Sequence, residues 1–126
     1  MRKMPSAPPR RKMKPMFSAV VFAPKLPAGT VENAVAGAFP VKHADDADVC
    51  IVQVAGGVMK ADALEAARRT LKVHARKMVY LCGDVDAASV PRDLLQSPRV
   101  LMERGHTVTE CLWLHCYRMS GGLAHA

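Results

Sequence analysis

The chain has 126 residues, room for one domain or one domain with a tail, and half of them are apolar, enough for a core. Lys and Arg number 18 against 11 Asp and Glu, a formal charge of +7 that favours an acidic partner. No apolar run reaches the ~18–20 residues of a membrane span, the apolar content argues against disorder, and the four cysteines, with no secretory leader, read as reduced intracellular thiols.

Residues 1–16, MRKMPSAPPRRKMKPM, carry Arg2, Lys3, Arg10, Arg11, Lys12 and Lys14 and no acid. Pro5, Pro8, Pro9 and Pro15 remove backbone donors and fix φ, which opposes a helix. The segment reads as a basic flexible arm ahead of a single α/β domain over 17–126. Its charge suits nucleic acid or another polyanion, and Arg10-Arg11-Lys12-x-Lys14 has the form of a nuclear import signal. The alternatives are a solubilising terminus and a mitochondrial presequence, whose amphipathic helix the prolines disfavour. With six of the 18 bases in the arm, the body keeps 12 against 11 acids and is near neutral.

Phe17–Ala23 is a short apolar run before Pro24, a buried strand by pattern. Thr30 offers a helix N-cap, and Val31, Ala34, Val35 and Ala38 recur at helical spacing until Phe39-Pro40. Val41–His43 reads as a brief edge strand, Asp45, Asp46 and Asp48 as an acidic turn, and Val49–Val54 as a strand rich in β-branched residues. After Gly56-Gly57, Lys60–Leu71 is the clearest helix, with Leu64, Ala67 and Leu71 on one face and Glu65 and Arg69 at i,i+4 on the other. Lys77–Cys82 reads as a buried strand. Val90–Arg104 reads as a helix that Pro98 interrupts, with Leu94, Leu95, Leu101 and Met102 inward. His106–Thr109 begins a further strand, and Cys111–Tyr117 is a terminal strand or short helix. Strands alternating with helices predict an α/β fold: a mostly parallel sheet of four to five strands with helices on both faces.

Ligands of such sheets collect beyond the carboxyl ends of the strands. There Gly56-Gly57 ahead of a helix offers backbone N–H groups to an anion, with Lys60 adding charge; a plain strand-to-helix turn is the structural alternative. The dinucleotide and P-loop glycine patterns are absent. Cys82 stands beside Asp84 and Asp86, whose charge opposes thiolate formation, so it reads as a core thiol and the two acids as capping residues. Cys111, His115 and Cys116 lack a paired knuckle spacing, and the expectation is no metal and no cofactor. Trp113, the single tryptophan, and Leu114 are expected in the core, locking the last element to the sheet.

Gly105-His-Thr-Val-Thr, followed by Trp113-Leu114 and Cys116-Tyr117, resembles the closing motif of BRCT domains; 97–105 resembles the preceding helix, and Gly37-Ala38 with the strand from Asp48 resembles that family's turn and central strand. The resemblance implies a BRCT-like fold, a buried tryptophan on the final helix, and a protein-interaction role. The family's phosphopeptide pocket would place its hydroxyl-glycine pair at Pro24-Lys25 or, in a shifted frame, at Ala55-Gly56 without the hydroxyl, with Lys60 or Arg99 standing in for its basic residue. The order DVCIVQVAGG, VYLCGD, PRDL is also similar to the later half of RNA uracil methyltransferases, with Cys82, Arg92, Asp93 and Leu94 at the second motif. The first motif there reads Gln53-Val54-Ala55-Gly56 and the glycine-rich cofactor loop is missing, which implies a methyltransferase-like fold without activity.

These readings converge on a non-enzymatic interaction module with a basic anchor, in a nuclear or chromosome-associated assembly. It would bind a protein partner and, through the arm, nucleic acid, and no membrane. A structural RNA-contacting subunit of a ribonucleoprotein, in a ribosome or mitochondrial ribosome, is the alternative.

Overall fold

Runs of β-branched and aromatic residues build the centre of the sheet. The computed structural model describes residues 16–121. In it β1 (Phe17–Phe22), β3 (Val49–Val54) and β4 (Met78–Gly83) lie side by side and are almost wholly buried. The short edge strands β2 (Ala38–Pro40) and β5 (Val100–Arg104) complete five strands in the order β2-β1-β3-β4-β5, every pair parallel. Such strands need long crossovers, and four helices supply or close them: α1 (Thr30–Ala34), α2 (Ala61–Val73), α3 (Arg92–Leu95) and α4 (Val108–Met119). None of the described helices is long and apolar enough to cross a membrane.

Alternate residues of each strand point to opposite faces, so the sheet divides two cores. On one face Cys50, Val52, Val79 and Leu81 meet Ala63, Ala66 and Ala67 of α2 and Leu94 of α3. The small α2 residues bring that helix close to the strands, and the larger Leu64 and Leu71 flank the contact. On the other face Phe17, Val49, Ile51 and Tyr80 meet Val31 of α1 and Val108, Cys111 and Leu112 of α4.

Four local expectations change. The first helix spans only Thr30–Ala34, with Gly29 and not Thr30 at its N-cap, and Val35 is already extended. The edge strand forms at Ala38–Pro40, where Ala38 and Phe39 pair with Phe17 and Ser18, and not at Val41–His43. Residues 100–104 are strand: β4 takes them from Val79↔Val100 to Gly83↔Arg104, and Leu101 and Met102 face opposite cores as neighbours on a strand do. Only Arg92–Leu95 of that predicted helix is helical. Residues 108–109 begin α4 and not a strand, because Thr107 and Glu110 form a capping box: Glu110 N donates to Thr107 Oγ1 (3.1 Å) and Thr107 N to Glu110 Oε1 (2.9 Å).

Candidate functional site

After β1 the chain crosses to the α1 face, and after β3 to the α2 face. The two connections part at the carboxyl ends of β1 and β3, the position where doubly wound sheets hold ligands. A cleft of about 330 Å³ opens there, walled by Phe22, Val52 and Met59, with Gln53, Lys60 and Asp62 as its polar groups. Lys60 holds the extended N-cap position of α2. Gly56 and Gly57 lie beside the cleft and do not line it. Both have positive φ (66° and 72°), and they turn the chain so that Ala55 bridges Val58. That is the structural alternative for this pair: two left-handed residues in succession that glycine adopts without strain. Arg99 does not join them. It stands at the opposite edge of the sheet, where its guanidinium donates to the carbonyls of Leu71 (2.6 Å), Lys77 (3.3 Å) and His74.

A second hollow of about 380 Å³ lies across Gln53, between Lys25 and Thr30 on one side and Thr107 and Thr109 on the other. Lys25 is the one non-glycine residue with positive φ (56°) among those described. The first cleft is lined by no serine, threonine, cysteine or histidine. Asp86 caps the 3₁₀ turn Ala87–Ser89, accepting from Ala88 N at 3.2 Å. Cys82 and Cys111 have no exposed surface. The thiol–thiol hydrogen bond to Cys82, then burial, pushes Cys111 far up, and burial pushes Cys50 up to about 12. The same Cys111 thiol draws the Cys82 thiol below its usual value, but Cys50, Cys82 and Cys111 are all sealed in the core.

His115 is buried on the inner face of α4. Its Nδ1 lies 3.0 Å from the Tyr80 hydroxyl, and its ring meets Phe17 edge-on. Burial pushes its pKa down to about 4, against the nearby Asp48 and aided by Arg118, so the imidazole is neutral. Cys111 and His115 thus face the core, Cys116 is half-buried, and no group of three potential ligands among the described residues is placed to hold a metal.

Trp113 corrects the expectation of a core residue. It is 54% exposed on the outer face of α4, and only its Nε1 is engaged, donating to the Ala34 carbonyl of α1 at 3.0 Å. Leu114 is half-buried against the inner core. Trp113, Leu114 and Tyr117, itself 45% exposed, line a shallow hollow of about 340 Å³ rimmed by His106 and Glu110. Those two rim groups lie 3.4 Å apart, and the Thr107 backbone N–H holds the Glu110 carboxyl below the usual carboxylate range.

The chain matches no family model, no curated protein and no solved structure.

The arm residues Arg2, Lys3, Arg10, Arg11, Lys12 and Lys14 lie outside the described residues. Of the anion-binding candidates Gly56, Gly57, Lys60 and Arg99, the fold brings the first three to one end of the sheet and sends Arg99 to the other. The exposed aromatic face escaped the sequence reading. Its signal was present, because Cys111, Leu112 and His115 share one helical face and exclude Trp113 and Tyr117 from it.

Proposed function

We propose that the protein is a non-catalytic interaction module, and that a partner protein docks on the outer face of α4. The carrying observation is the half-exposed pair Trp113 and Tyr117, one turn apart on α4. Exposed aromatic patches rimmed by polar groups mark interaction surfaces. Tryptophan and tyrosine also dominate binding energy at interfaces, because they bury large area with few torsions to freeze. The hollow they share with Leu114 fits an apolar anchor side chain of the partner, with the His106–Glu110 pair as its polar rim. The buried thiols, and a switch-point cleft lined by no serine, threonine, cysteine or histidine, favour a non-catalytic role. The likeness to BRCT domains adds a tryptophan on the closing helix, but its exposure departs from that family's buried position, so the proposal rests on the surface.

In this reading the basic arm anchors the module to nucleic acid, in a nuclear or chromosome-associated assembly. The second reading, a structural subunit of a ribonucleoprotein, draws on the same six cations of the arm, which suit RNA equally well. A photo-crosslinking residue at position 117 tests the docking face in cells, with position 95 on exposed Leu95 as comparison. The expected outcome is one dominant adduct from position 117, lost with Trp113→Gln. Equal capture from both positions, or an adduct that survives Trp113→Gln, sinks the proposal.

A further inference from the structure

At the amino-terminal edge of the sheet a concavity is lined by His74, Arg76 and Lys77 from the loop between α2 and β4, and Lys72 lies just ahead of that loop in the last turn of α2. The concavity measures about 520 Å³, and its exposed apolar surface comes from Met16, Val73 and Met119. The loop is held in place. Arg99 donates to the carbonyls of Leu71, His74 and Lys77, and Lys77 Nζ donates to the Ala47 carbonyl at 2.6 Å. His74 accepts from Arg76 N at Nδ1 (3.1 Å), which leaves Nε2 as its donor. The acids at this end are Asp45, Asp46 and Asp48. Asp45 pairs with Arg69 at 3.3 Å, and Asp48, which borders the concavity, accepts from Ser18 N at 3.0 Å.

We propose that this basal concavity binds the backbone of a single-stranded nucleic acid: Lys72, His74, Arg76 and Lys77 contact phosphates, and Met16, Val73 and Met119 meet sugars and base faces. The inference rests on the anchor reading above and extends it from the arm to the folded body. Two observations select a nucleic acid. Met16 lines the concavity, and the fifteen residues that precede it in the chain carry six cations and no acid, a run of charge in sequence that suits a polyanion. The surface is also concave, with Arg76 and Lys77 in one lining with Met16, Val73 and Met119, a form that admits a strand. Grooves that combine backbone-tracking cations with exposed apolar side chains bind single strands with little sequence preference.

The test is fluorescence anisotropy of a labelled oligo-U strand with the full chain over a salt series. Three variants are compared at unchanged thermal midpoint: Lys72→Gln with Arg76→Gln; Lys25→Gln with Arg104→Gln at the opposite edge; and Arg10, Arg11, Lys12 and Lys14 all to Gln. The basal pair is expected to weaken binding and lower the salt slope by about 1.4, at about 0.7 per phosphate contact on a single strand. The opposite-edge pair should change neither. Unchanged binding in the basal pair with loss in the arm variant overturns the inference and leaves the anchor reading standing. No binding by the native chain overturns both. Equal loss from the opposite-edge pair, or binding to phosphatidylserine vesicles in place of the oligonucleotide, also overturns it.

Discussion

His115 shows how one buried side chain ties acid sensitivity to the core. Its ring is enclosed by Phe17, Tyr80 and α4, with Asp48 and Arg118 as the nearest charged groups. The folded chain holds its pKa at about 4, while the unfolded chain restores the ordinary 6.5. Between those values the unfolded state binds a proton that the folded state refuses, so this contribution is intact above pH ~6.5 and lost as the pH falls towards ~4, at about 1.4 kcal/mol per unit. Urea unfolding at pH 7 and pH 5 should show a loss of about 2 kcal/mol from this group. His115→Gln, which lacks the titrating ring, should flatten the difference by that amount; an equal pH dependence in the variant would refute the assignment. The sequence showed His115 only as one member of a weak metal pattern. Its role depends on Tyr80, thirty-five residues away, and no spacing along the chain exposes that contact.

Among the elements, α4 and β5 mark where local reading stops. The capping box that starts α4 was visible as Thr107-Val-Thr-Glu110, but Val108 and Thr109 also favour strands, and the apolar run after them suits either state. The tertiary arrangement decides: two buried side chains per turn along Val108, Cys111, Leu112 and His115 match a helix lying across β3 and β4. Residues 100–104 have no comparable local signal. Pro98 breaks the helix before them, and the strand exists because β4 offers an open edge for pairing. The elements before Gly83 were legible apart from the shortened first helix and the shifted edge strand, since the others carry their own periodicity or β-branched run. Thr107→Ala removes the hydroxyl acceptor of Glu110 N, and a destabilisation of about 1 kcal/mol is expected from denaturant titration. A loss below ~0.3 kcal/mol would mean that the packing of α4, and not its cap, fixes where the helix begins.

At the scale of the molecule, the parallel sheet serves as the shared wall of two cores. Leu81 faces α2 and Leu112 packs on the other side from α4, both without exposed surface. Because the same strands carry both clusters, one face has no route to unfold alone. Leu81→Ala and Leu112→Ala should each lower stability by about 2–5 kcal/mol and each leave a single transition in circular dichroism. Two transitions in either variant would show that the faces melt separately. The whole-molecule scale is also where charge was least legible. A regional count left the body near neutral, yet the fold brings Arg76 and Lys77 into one concavity with Met16 and Met119 from the two ends of the described chain. Sums along a chain cannot report such polarity. The carboxyl-edge cleft was legible from topology alone, since strand-to-helix turns place it wherever the sheet reverses its winding.

The position of Trp113 has a spectroscopic consequence. The chain's single indole lies half in water, tethered only through Nε1 to Ala34. Its emission therefore reports the outer surface of α4 rather than the state of either core. Unfolding moves it from one wet environment to another, whereas anything that covers that face shifts its colour to the blue. The same residue that makes fluorescence a poor thermometer for this fold makes it a label-free gauge of occupancy.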